Sequence, residues 1–427
     1  MSNEFVMPMT PRGRSRWSVV GAVSAQFSQA LGSFLLQVMA ARLLGKEGLA
    51  VFAVLFGLVV VGTAVVSGFV GDSLTVLDRA DRVVRAGLQW WLVVLSTALG
   101  LAAIIGLGGT GYLSWHQGIA FGLAGAAFVL EDTVRRLLMA SLRFWSIVIV
   151  DLVGLVGAVG LVSVVWLSDT PVTLTHFLIG LVVGQVAATV VGVFLLPPED
   201  RWWARAGRSQ RELGGRSRVF EYGRWRALQV SVRPVMLALM RVIAVAGIGR
   251  AAYGELEGAR LFVAPAMLAV NGASSYLFAR FARTKEETTT RLLRQADTGV
   301  AVLAVVSLLL GVVAALAAPT LGNAIVGDEF DLDRWSVLGW SVYAAATAAA
   351  TPYGVLAAVR GRQGATLLVR VADSVLSLAG VFVVVSVPWS TSAIPYVMGL
   401  FALLGGVGIR QLIAADVATD VATARVA

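Results

Sequence analysis

The stretch "SVRPVMLALMRVIAVAGIG" (residues 231–249) has the length and apolar content of a membrane helix, yet it contains Arg233 and Arg241. About 20 mostly apolar residues cross the roughly 30 Å hydrocarbon core of a bilayer. An arginine near the bilayer centre costs about 2.5–3.5 kcal/mol on the lenient insertion scale. The stretch therefore predicts a membrane helix whose two cations have either a function or a partner that offsets this cost.

The rest of the chain has the same character. It is 58% hydrophobic and 14% charged, with a mean hydropathy of +0.82, whereas soluble domains are about 45–50% apolar and about a quarter charged. Its apolar stretches predict an all-α integral membrane protein with about twelve spans. The predicted spans are 17–41, 49–69, 88–107, 118–138, 145–167, 174–196, 226–248, 256–279, 297–317, 336–359, 365–387 and 395–415.

The chain divides into two related halves. We predict a six-helix lobe over 1–200, a basic linker over 201–225 and a second six-helix lobe over 226–427. "RLLGKEGLAVF" (42–52) follows the first span and "GIGRAAYGELE" (247–257) follows the seventh, so that Gly45 aligns with Gly249 at an offset of 204 residues. Two lobes related by a pseudo-two-fold repeat, with a substrate site between them, are a recurring plan of transporters.

The distribution of basic residues predicts the orientation. Most of the 34 lysines and arginines lie on the side of the N-terminus, and basic residues favour cytoplasmic loops. Both termini are therefore predicted to be cytoplasmic. The arginine-rich linker is expected to anchor the topology near anionic headgroups, or to dock a cytoplasmic partner. Because the positive charge lies in loops next to the membrane, we expect no nucleic-acid partner.

The first span carries a polar stripe. Its four polar side chains are spaced by 3, 4 and 4 residues and fall within an arc of about 80°. The repeat offset places Arg233 at the equivalent of Gln29, and Arg241 at the equivalent of Gln37. Intramembrane ionisable groups almost always face a bundle interior or an aqueous cavity. We therefore expect both stripes to line one central cavity, with these substrate-binding candidates: Arg233, Arg241, Gln29, Gln37, Gln26, Ser33 and Gln229.

Structural ion pairs are the alternative explanation for the two arginines. The candidate partners on other helices are Asp151, Asp297 and Asp373. Other charges have local partners, because i,i+3 and i,i+4 side chains are neighbours on a helix. These expected pairs are Glu131 with Arg135, Asp132 with Arg136, and Arg370 with Asp373. Asp373 is also a possible ion-coupling residue.

Motifs of catalysis are absent. The sequence has no G-x-x-x-x-G-K-[ST], no G-x-S-x-G and no H-E-x-x-H. It has no cysteine, which excludes disulfides and thiolate chemistry. We expect neither an enzyme nor a cofactor. The acidic loop "GDEFDLD" (327–333) leaves one alternative open, a polytopic glycan-assembly enzyme with acidic residues on the external side.

Three segments resemble a known family. They are "MAARLLGKEGLAVFAVLFGLVVVGTAVVSGFVGDSLTV" (39–76), "GRAAYGELEGARLFVAPAMLAVNGASSYLFARFAR" (249–283) and "IVGDEF" (325–330). Together with the two six-helix halves, they are similar to the multidrug/oligosaccharidyl-lipid/polysaccharide (MOP) exporter superfamily, specifically to the Wzx-type polysaccharide flippases. The resemblance covers nearly the whole chain.

The resemblance implies a MATE-like flippase in the bacterial cytoplasmic (inner) membrane. Its substrate would be a polyprenyl-pyrophosphate-linked oligosaccharide, moved from the cytoplasmic to the outer leaflet for surface polysaccharide assembly. Membrane lipids and other glycan-assembly proteins are the implied partners. The residues agree with this, because the planar arginine fork suits phosphate oxygens, and glutamine and serine suit sugar hydroxyls. The alternative within the superfamily is a drug/cation antiporter, whose cavity is expected to be acidic or aromatic.

Overall fold

The computed structural model describes residues 12–78, 80–201, 210–264, 289–359, 362–387 and 390–426. These residues form helices joined by short connections, with no β-strand among them. The helices of the N-terminal half are α1 Arg12–Val66, α2 Asp72–Val76, α3 Arg82–Ala103, α4 Trp115–Ala140, α5 Phe144–Leu167 and α6 Leu174–Leu195. The helices of the C-terminal half are α7 Gln210–Ile248, α8 (described over 250–264), α9 Thr289–Val326, α10 Arg334–Val359, α11 Gln363–Ser386 and α12 Ala393–Val426.

The all-α membrane architecture predicted from the sequence is confirmed. Among the described residues, eight helices are long and apolar enough to cross a bilayer. Two π-helical segments, Ser67–Gly71 and Ile104–Gly108, extend α1 and α3. The part of the eighth predicted span after residue 264 lies outside the described residues.

Helix α1 contains the first two predicted spans. Its 55 residues correspond to about 82 Å of helix, more than twice the thickness of the hydrocarbon core. The helix breaks at Gly45, where φ is +67° and ψ is −174°. Glycine adopts positive φ without the steric cost of a Cβ. The two spans are therefore joined through one glycine, not through the loop of 42–48 that the predicted boundaries imply.

The same break occurs in the C-terminal half. Helix α7 ends at Ile248, and Gly249, with φ +84°, separates it from α8. The two glycines aligned from the sequence therefore have the same backbone role. We call the end of the bundle at which Gly45 and Gly249 lie the bend end.

Helix packing follows the same order in both halves. In the N-terminal half α1 packs on α5, α5 on α6 and α4 on α6. In the C-terminal half α7 packs on α11, α11 on α12 and α10 on α12. The two halves thus share this packing order of their helices.

Helix α7 contacts both halves. A Cβ on Gly215 would meet the carbonyl oxygen of Val83, and one on Gly223 would meet that of Phe69, so the first part of α7 lies directly on the N-terminal half. At its other end, Gly247 lies against Val385 of α11. The expected linker over 201–225 needs correction, because residues from Gln210 onward belong to this helix. Residues 202–209 lie outside the described residues.

The largest buried apolar cluster joins the two halves near the bend end. It includes Phe52 and Phe177 from the N-terminal half and Tyr253 and Trp340 from the C-terminal half, each at most 1% exposed. Trp340 Nε1 donates a hydrogen bond of 2.9 Å to the carbonyl of Leu256, which satisfies the buried indole N–H. Burial of large aromatic side chains favours close contact of the halves here.

Candidate functional site

A cavity of about 710 Å³ with apolar and polar side chains on its wall lies mainly within the N-terminal half. Helices α1, α4, α5 and α6 line it, and α7 contributes Val230. Its polar lining comprises Gln26, Ser28, Gln29, Ser33, Thr63, Ser67, Glu131, Asp132, Arg136, Asp151 and Gln185. Three of the predicted substrate-binding residues, Gln26, Gln29 and Ser33, therefore share one cavity. The other four do not line it.

Three carboxylates surround one arginine beside this cavity. Arg135 Nε lies 2.8 Å from Asp151 Oδ1 and 3.6 Å from Glu131 Oε1, and its Nη1 lies 3.9 Å from Asp132 Oδ1. These side chains are 5–11% exposed. Ser28 Oγ donates a hydrogen bond of 2.5 Å to Asp151. We call Arg135, Glu131, Asp132 and Asp151 the Arg135 cluster.

The Arg135 cluster confirms two local pairs and corrects one expectation. Glu131 pairs with Arg135, and Asp132 pairs with Arg136 at 3.6 Å, as their helical spacing predicts. Asp151, expected as a possible partner of Arg233 or Arg241, instead pairs with Arg135. From the sequence, Glu131 and Asp132 were expected only to neutralise Arg135 and Arg136. In the structure these two carboxylates and Asp151 also lie on the cavity wall.

A second ionic cluster lies between the halves, closer to the bend end. Glu257 is 0% exposed and accepts hydrogen bonds from Arg260 Nε at 2.8 Å and from the Tyr253 hydroxyl at 2.9 Å. Arg241 Nη2 lies 3.7 Å from Glu257 Oε1. Arg260 Nη2 also donates a hydrogen bond of 2.6 Å to Gln37 of α1, so the cluster connects the two halves. We call these five residues the Glu257 cluster.

The sequence reasoning missed Glu257 as the partner of Arg241. The three carboxylates expected there were wrong for Arg241, and Glu257 was overlooked although it lies at the start of the predicted eighth span, 256–279. The spacing in the sequence could have indicated this pair, because Arg241 and Glu257 each lie eight residues from Gly249. Eight residues of helix correspond to about 12 Å, so two helices leaving one bend bring these positions to the same depth.

Arg233 has a different environment. Its guanidinium carbon lies 5.8 Å from the centroid of the Tyr343 ring, and among the described residues no carboxylate lies within 4.0 Å of it. The buried Tyr343 hydroxyl has no hydrogen-bond partner among the described residues. Arg370 and Asp373 lie near enough to interact electrostatically with Arg233. Arg233 is thus an intramembrane cation without a close counter-ion in the described part of the chain.

The remaining predicted residues have other neighbours. Gln229 accepts a hydrogen bond of 3.4 Å from Arg226, which pairs with Asp72. Asp297 forms a two-pronged pair with Arg410, at 2.8 and 2.9 Å, so it is not a partner of Arg233 or Arg241. Asp373 interacts electrostatically with Arg370, although the described residues include no pair of these two shorter than 4.0 Å.

Polar contacts hold the halves together at the bend end. Arg42 Nε donates a hydrogen bond of 3.0 Å to the carbonyl of Ile325, and Lys46 Nζ lies 2.9 Å from Glu255 Oε1. The hydrogen bond with Glu255 raises the pKa of Lys46. The cavity residues Gln26 to Ser33 precede Gly45 by about 18–28 Å of helix. The cavity is therefore separated from the bend end by the Glu257 cluster and these contacts.

The acidic loop has a structural role at its last residue. Asp333 caps α10, because its carboxylate accepts hydrogen bonds from the backbone N–H groups of Trp335 at 3.1 Å and Ser336 at 3.0 Å. Among the described residues, no group of histidine and acidic side chains is arranged to hold a metal ion.

No protein-family model and no curated protein sequence matches the chain. Solved structures do match it. An inward-facing multidrug resistance MATE family transporter of the MOP superfamily superimposes with a TM-score of 0.64 at 11% identity, over 94% of this chain and 98% of that one. The chain has the MATE fold. An outward-facing structure of such a transporter gives a TM-score of 0.61 at 12% identity, over 96% and 97% of the two chains.

The MATE fold accommodates pockets of different polarity. A MOP superfamily transporter from Pyrococcus furiosus, described by the reverse polarity of its binding pocket, matches with a TM-score of 0.59 at 10% identity, over 96% of this chain and 99% of that one. At these identities the likeness shows the fold alone. The polarity of any binding site in this chain therefore depends on its own side chains.

Proposed function

We propose that this protein is an alternating-access flippase for a polyprenyl-pyrophosphate-linked oligosaccharide in a bacterial cytoplasmic membrane. The observation that carries the proposal is Arg233, an intramembrane arginine without a close carboxylate among the described residues. Intramembrane ionisable groups mark substrate pathways. An anionic pyrophosphate is the cargo that gives such a cation a function.

Arg233 is suitably placed for a group that enters from the cavity. It lies one helical turn after Val230, which lines the cavity, and residues three apart share a helix face. Arg370 and Asp373 both lie near Arg233, so the three groups together keep one net positive charge. The planar guanidinium forms two parallel hydrogen bonds to phosphate oxygens. On the cavity wall, Gln26, Gln29 and Ser33 provide amide and hydroxyl groups that can form hydrogen bonds with sugar hydroxyls.

Alternating access requires that the halves separate at the bend end. With both termini proposed as cytoplasmic, the cavity opens toward the cytoplasm and the bend end faces outward. The Arg260–Gln37 hydrogen bond and the Lys46–Glu255 pair cross between the halves. Both must break before the cargo leaves on the external side. The cargo's lipid tail stays in the bilayer while its head group crosses.

Arg233→Gln tests this function. In proteoliposomes we expect flipping of a labelled polyprenyl-pyrophosphate glycan to fall about 10–100-fold, the equivalent of one charge-assisted hydrogen bond. Lysine should retain more activity than glutamine, because it keeps the charge without the planar fork. The melting temperature should hold or rise, since the variant removes a costly intramembrane charge. Arg334→Gln, which changes an exposed arginine at the start of α10, is the matched control.

Two results would contradict the proposal. A stable Arg233→Gln protein that flips at the normal rate would remove the role of this arginine in cargo binding. Loss of folded protein in Arg233→Gln, but not in Arg334→Gln, would instead assign Arg233 to structure.

A drug/cation antiporter is the second candidate, and a specific observation favours it. Glu131, Asp132 and Asp151 line the cavity, and carboxylates attract cationic substrates. Asp132→Asn separates the two functions, because this carboxylate lines the cavity and its contacts with Arg135 and Arg136, 3.9 and 3.6 Å, are longer than the 2.8 Å contact of Asp151 with Arg135. An antiporter should lose ethidium transport in this variant. The flippase should transport no ethidium and keep most of its flipping activity.

A further inference from the structure

The first part of α7 has two unlike faces. One face packs on the N-terminal half through the row Gly215, Val219, Gly223 and Ala227, in which each residue follows the last by four. Residues spaced by four share a helix face. Small residues in such a row allow backbones to approach closely. The opposite face is exposed.

The exposed face combines arginine with large apolar side chains. Trp225 is 58% exposed and Leu228 is 51% exposed, while the Arg218 side chain is 67% exposed. The Arg224 guanidinium carbon lies 5.5 Å from the Phe220 ring centroid and 5.6 Å from that of Trp225. Tryptophan beside arginine is typical of the membrane–water interface.

Arg224 differs from its neighbour Arg226 in its partners. Arg226 pairs with Asp72, whereas Arg224 has no carboxylate within 4.0 Å among the described residues and donates no hydrogen bond to them. Glu221 is exposed on the same helix and forms no pair with Arg224 shorter than 4.0 Å in the described structure. Aromatic rings attract the face of a guanidinium, which leaves its N–H groups for an anion.

We propose that Arg224, Phe220 and Trp225 bind the phosphate of an anionic phospholipid. The Arg224 guanidinium donates hydrogen bonds to the phosphate oxygens. The exposed side chain of Leu228, one turn deeper, contacts the acyl chains. Arg218, six residues toward the helix start and 67% exposed, adds the long-range attraction of a basic segment for an anionic membrane surface, partly offset by Asp81 at 4.0 Å. This site is independent of the cavity and of the flippase function.

Lipid binding at this site also stabilises the joint between the halves. Phe220 stacks on Trp91 with centroids 5.6 Å apart, and Trp91 contacts Phe69 at 4.9 Å. Trp91 Nε1 donates a hydrogen bond of 3.0 Å to the carbonyl of Arg216. A phospholipid that holds Phe220 and Arg224 therefore holds α7 against the N-terminal half, because the same aromatic side chain contacts both. Anything that binds the folded protein alone raises its melting temperature.

The test compares phosphatidylglycerol with phosphatidylcholine, both carrying the same acyl chains. Each lipid is added to the delipidated full-length protein in detergent, and retention is counted by native mass spectrometry beside the melting temperature. We expect phosphatidylglycerol to be retained more strongly and to raise the melting temperature more. Arg224→Gln should weaken its retention about five-fold, the equivalent of one basic residue at the membrane surface.

Further variants sharpen the test. Arg224→Lys should retain most of the binding, and Glu221→Gln should strengthen it by removing a repulsive charge. The matched control is Arg250→Gln, since Arg250 also lies over an aromatic ring, that of Tyr112 at 5.5 Å, but at the bend end. If Arg224→Gln fails to fold, Trp225→Leu changes the same site without removing its charge. This variant should also weaken the retention of phosphatidylglycerol.

Several outcomes would overturn the proposal. These are equal retention of the two lipids by the unaltered protein, equal loss in Arg224→Gln and Arg250→Gln, or weaker binding by Glu221→Gln. Unchanged retention by a folded Arg224→Gln protein would do the same.

Discussion

The two halves of this protein bury charges of opposite sign at different places in the fold: the Arg135 cluster lies on α4 and α5 beside the cavity, whereas the Glu257 cluster lies between the halves, nearer the bend end. In the N-terminal half, the cation Arg135 is surrounded by three carboxylates. In the C-terminal half, the anion Glu257 is surrounded by two arginines and the Tyr253 hydroxyl. Both centres are buried, since the Arg135 side chain is 5% exposed and Glu257 is 0% exposed.

The difference teaches that the repeated fold sets neither the position nor the sign of the buried charges. Helix order and the glycine bends match between the halves, but at the offset of 204 residues Arg135 corresponds to Gly339 and Glu257 to Ala53. The carboxylate excess lies on the cavity wall, whereas the arginine excess lies between the halves and around Arg233. A cargo with neutral sugar hydroxyls and an anionic pyrophosphate is compatible with both regions.

The largest expected effect comes from breaking the Arg135 cluster. Arg135→Gln leaves three buried carboxylates without their common partner, and removing one member of a buried pair costs about 3–5 kcal/mol. We expect a strongly lowered melting temperature and little folded protein. Arg218→Gln, at an exposed side chain, is the control and should change stability little. A normal melting temperature for Arg135→Gln would show that the carboxylates need no counter-ion.

Removing the central charge of the Glu257 cluster should lower the melting temperature less. Glu257→Gln removes the carboxylate beside Arg241 and Arg260 but keeps an oxygen that can accept the hydrogen bond of Arg260, so we expect a loss of about 3 kcal/mol, the low end for a broken buried pair. Adding Arg241→Gln should recover part of this loss, because it removes one of the stranded cations.

A double-mutant cycle measures that recovery. Residues in one buried network typically couple by 0.5–3 kcal/mol. If Arg241→Gln and Glu257→Gln are additive in thermal denaturation, the 3.7 Å contact between the two residues contributes nothing to stability.

The smallest expected effect concerns the contact between the halves. Gln37→Leu removes the acceptor of the 2.6 Å hydrogen bond from Arg260, a bond to a charged group worth about 1.5–3 kcal/mol. We expect the halves to separate more often at the bend end. Since the chain has no cysteine, a single cysteine at Ala41, which is 1% exposed, reports this opening through its maleimide labelling rate.

The labelling rate should rise in Gln37→Leu. Thr170→Cys, in the exposed connection between α5 and α6, controls for general loosening and should label equally with and without Gln37→Leu. Unchanged labelling at Ala41→Cys would mean that the bond does not restrain the halves.

The sequence alone determined those features that depend on near neighbours. Composition and apolar spacing predicted the membrane helices, because each span needs about 20 apolar residues in a row. The alignment of Gly45 with Gly249 paired two positions that both have positive φ in the structure, a conformation that favours glycine; the bends themselves were not predicted. The pairs of Glu131 with Arg135 and Asp132 with Arg136 followed from one helical turn.

Only the tertiary structure decided which distant charges meet. Asp151 reaches Arg135 from another helix, Glu257 meets Arg241 across a bend, and Gln37 contacts Arg260 across the two halves. An ion pair requires a separation of about 4 Å, and the interaction depends steeply on distance and on burial. Helix rotation and crossing set those distances. Neither is encoded in the spacing of residues along a single helix, so the sequence identified the charged residues but not their partners.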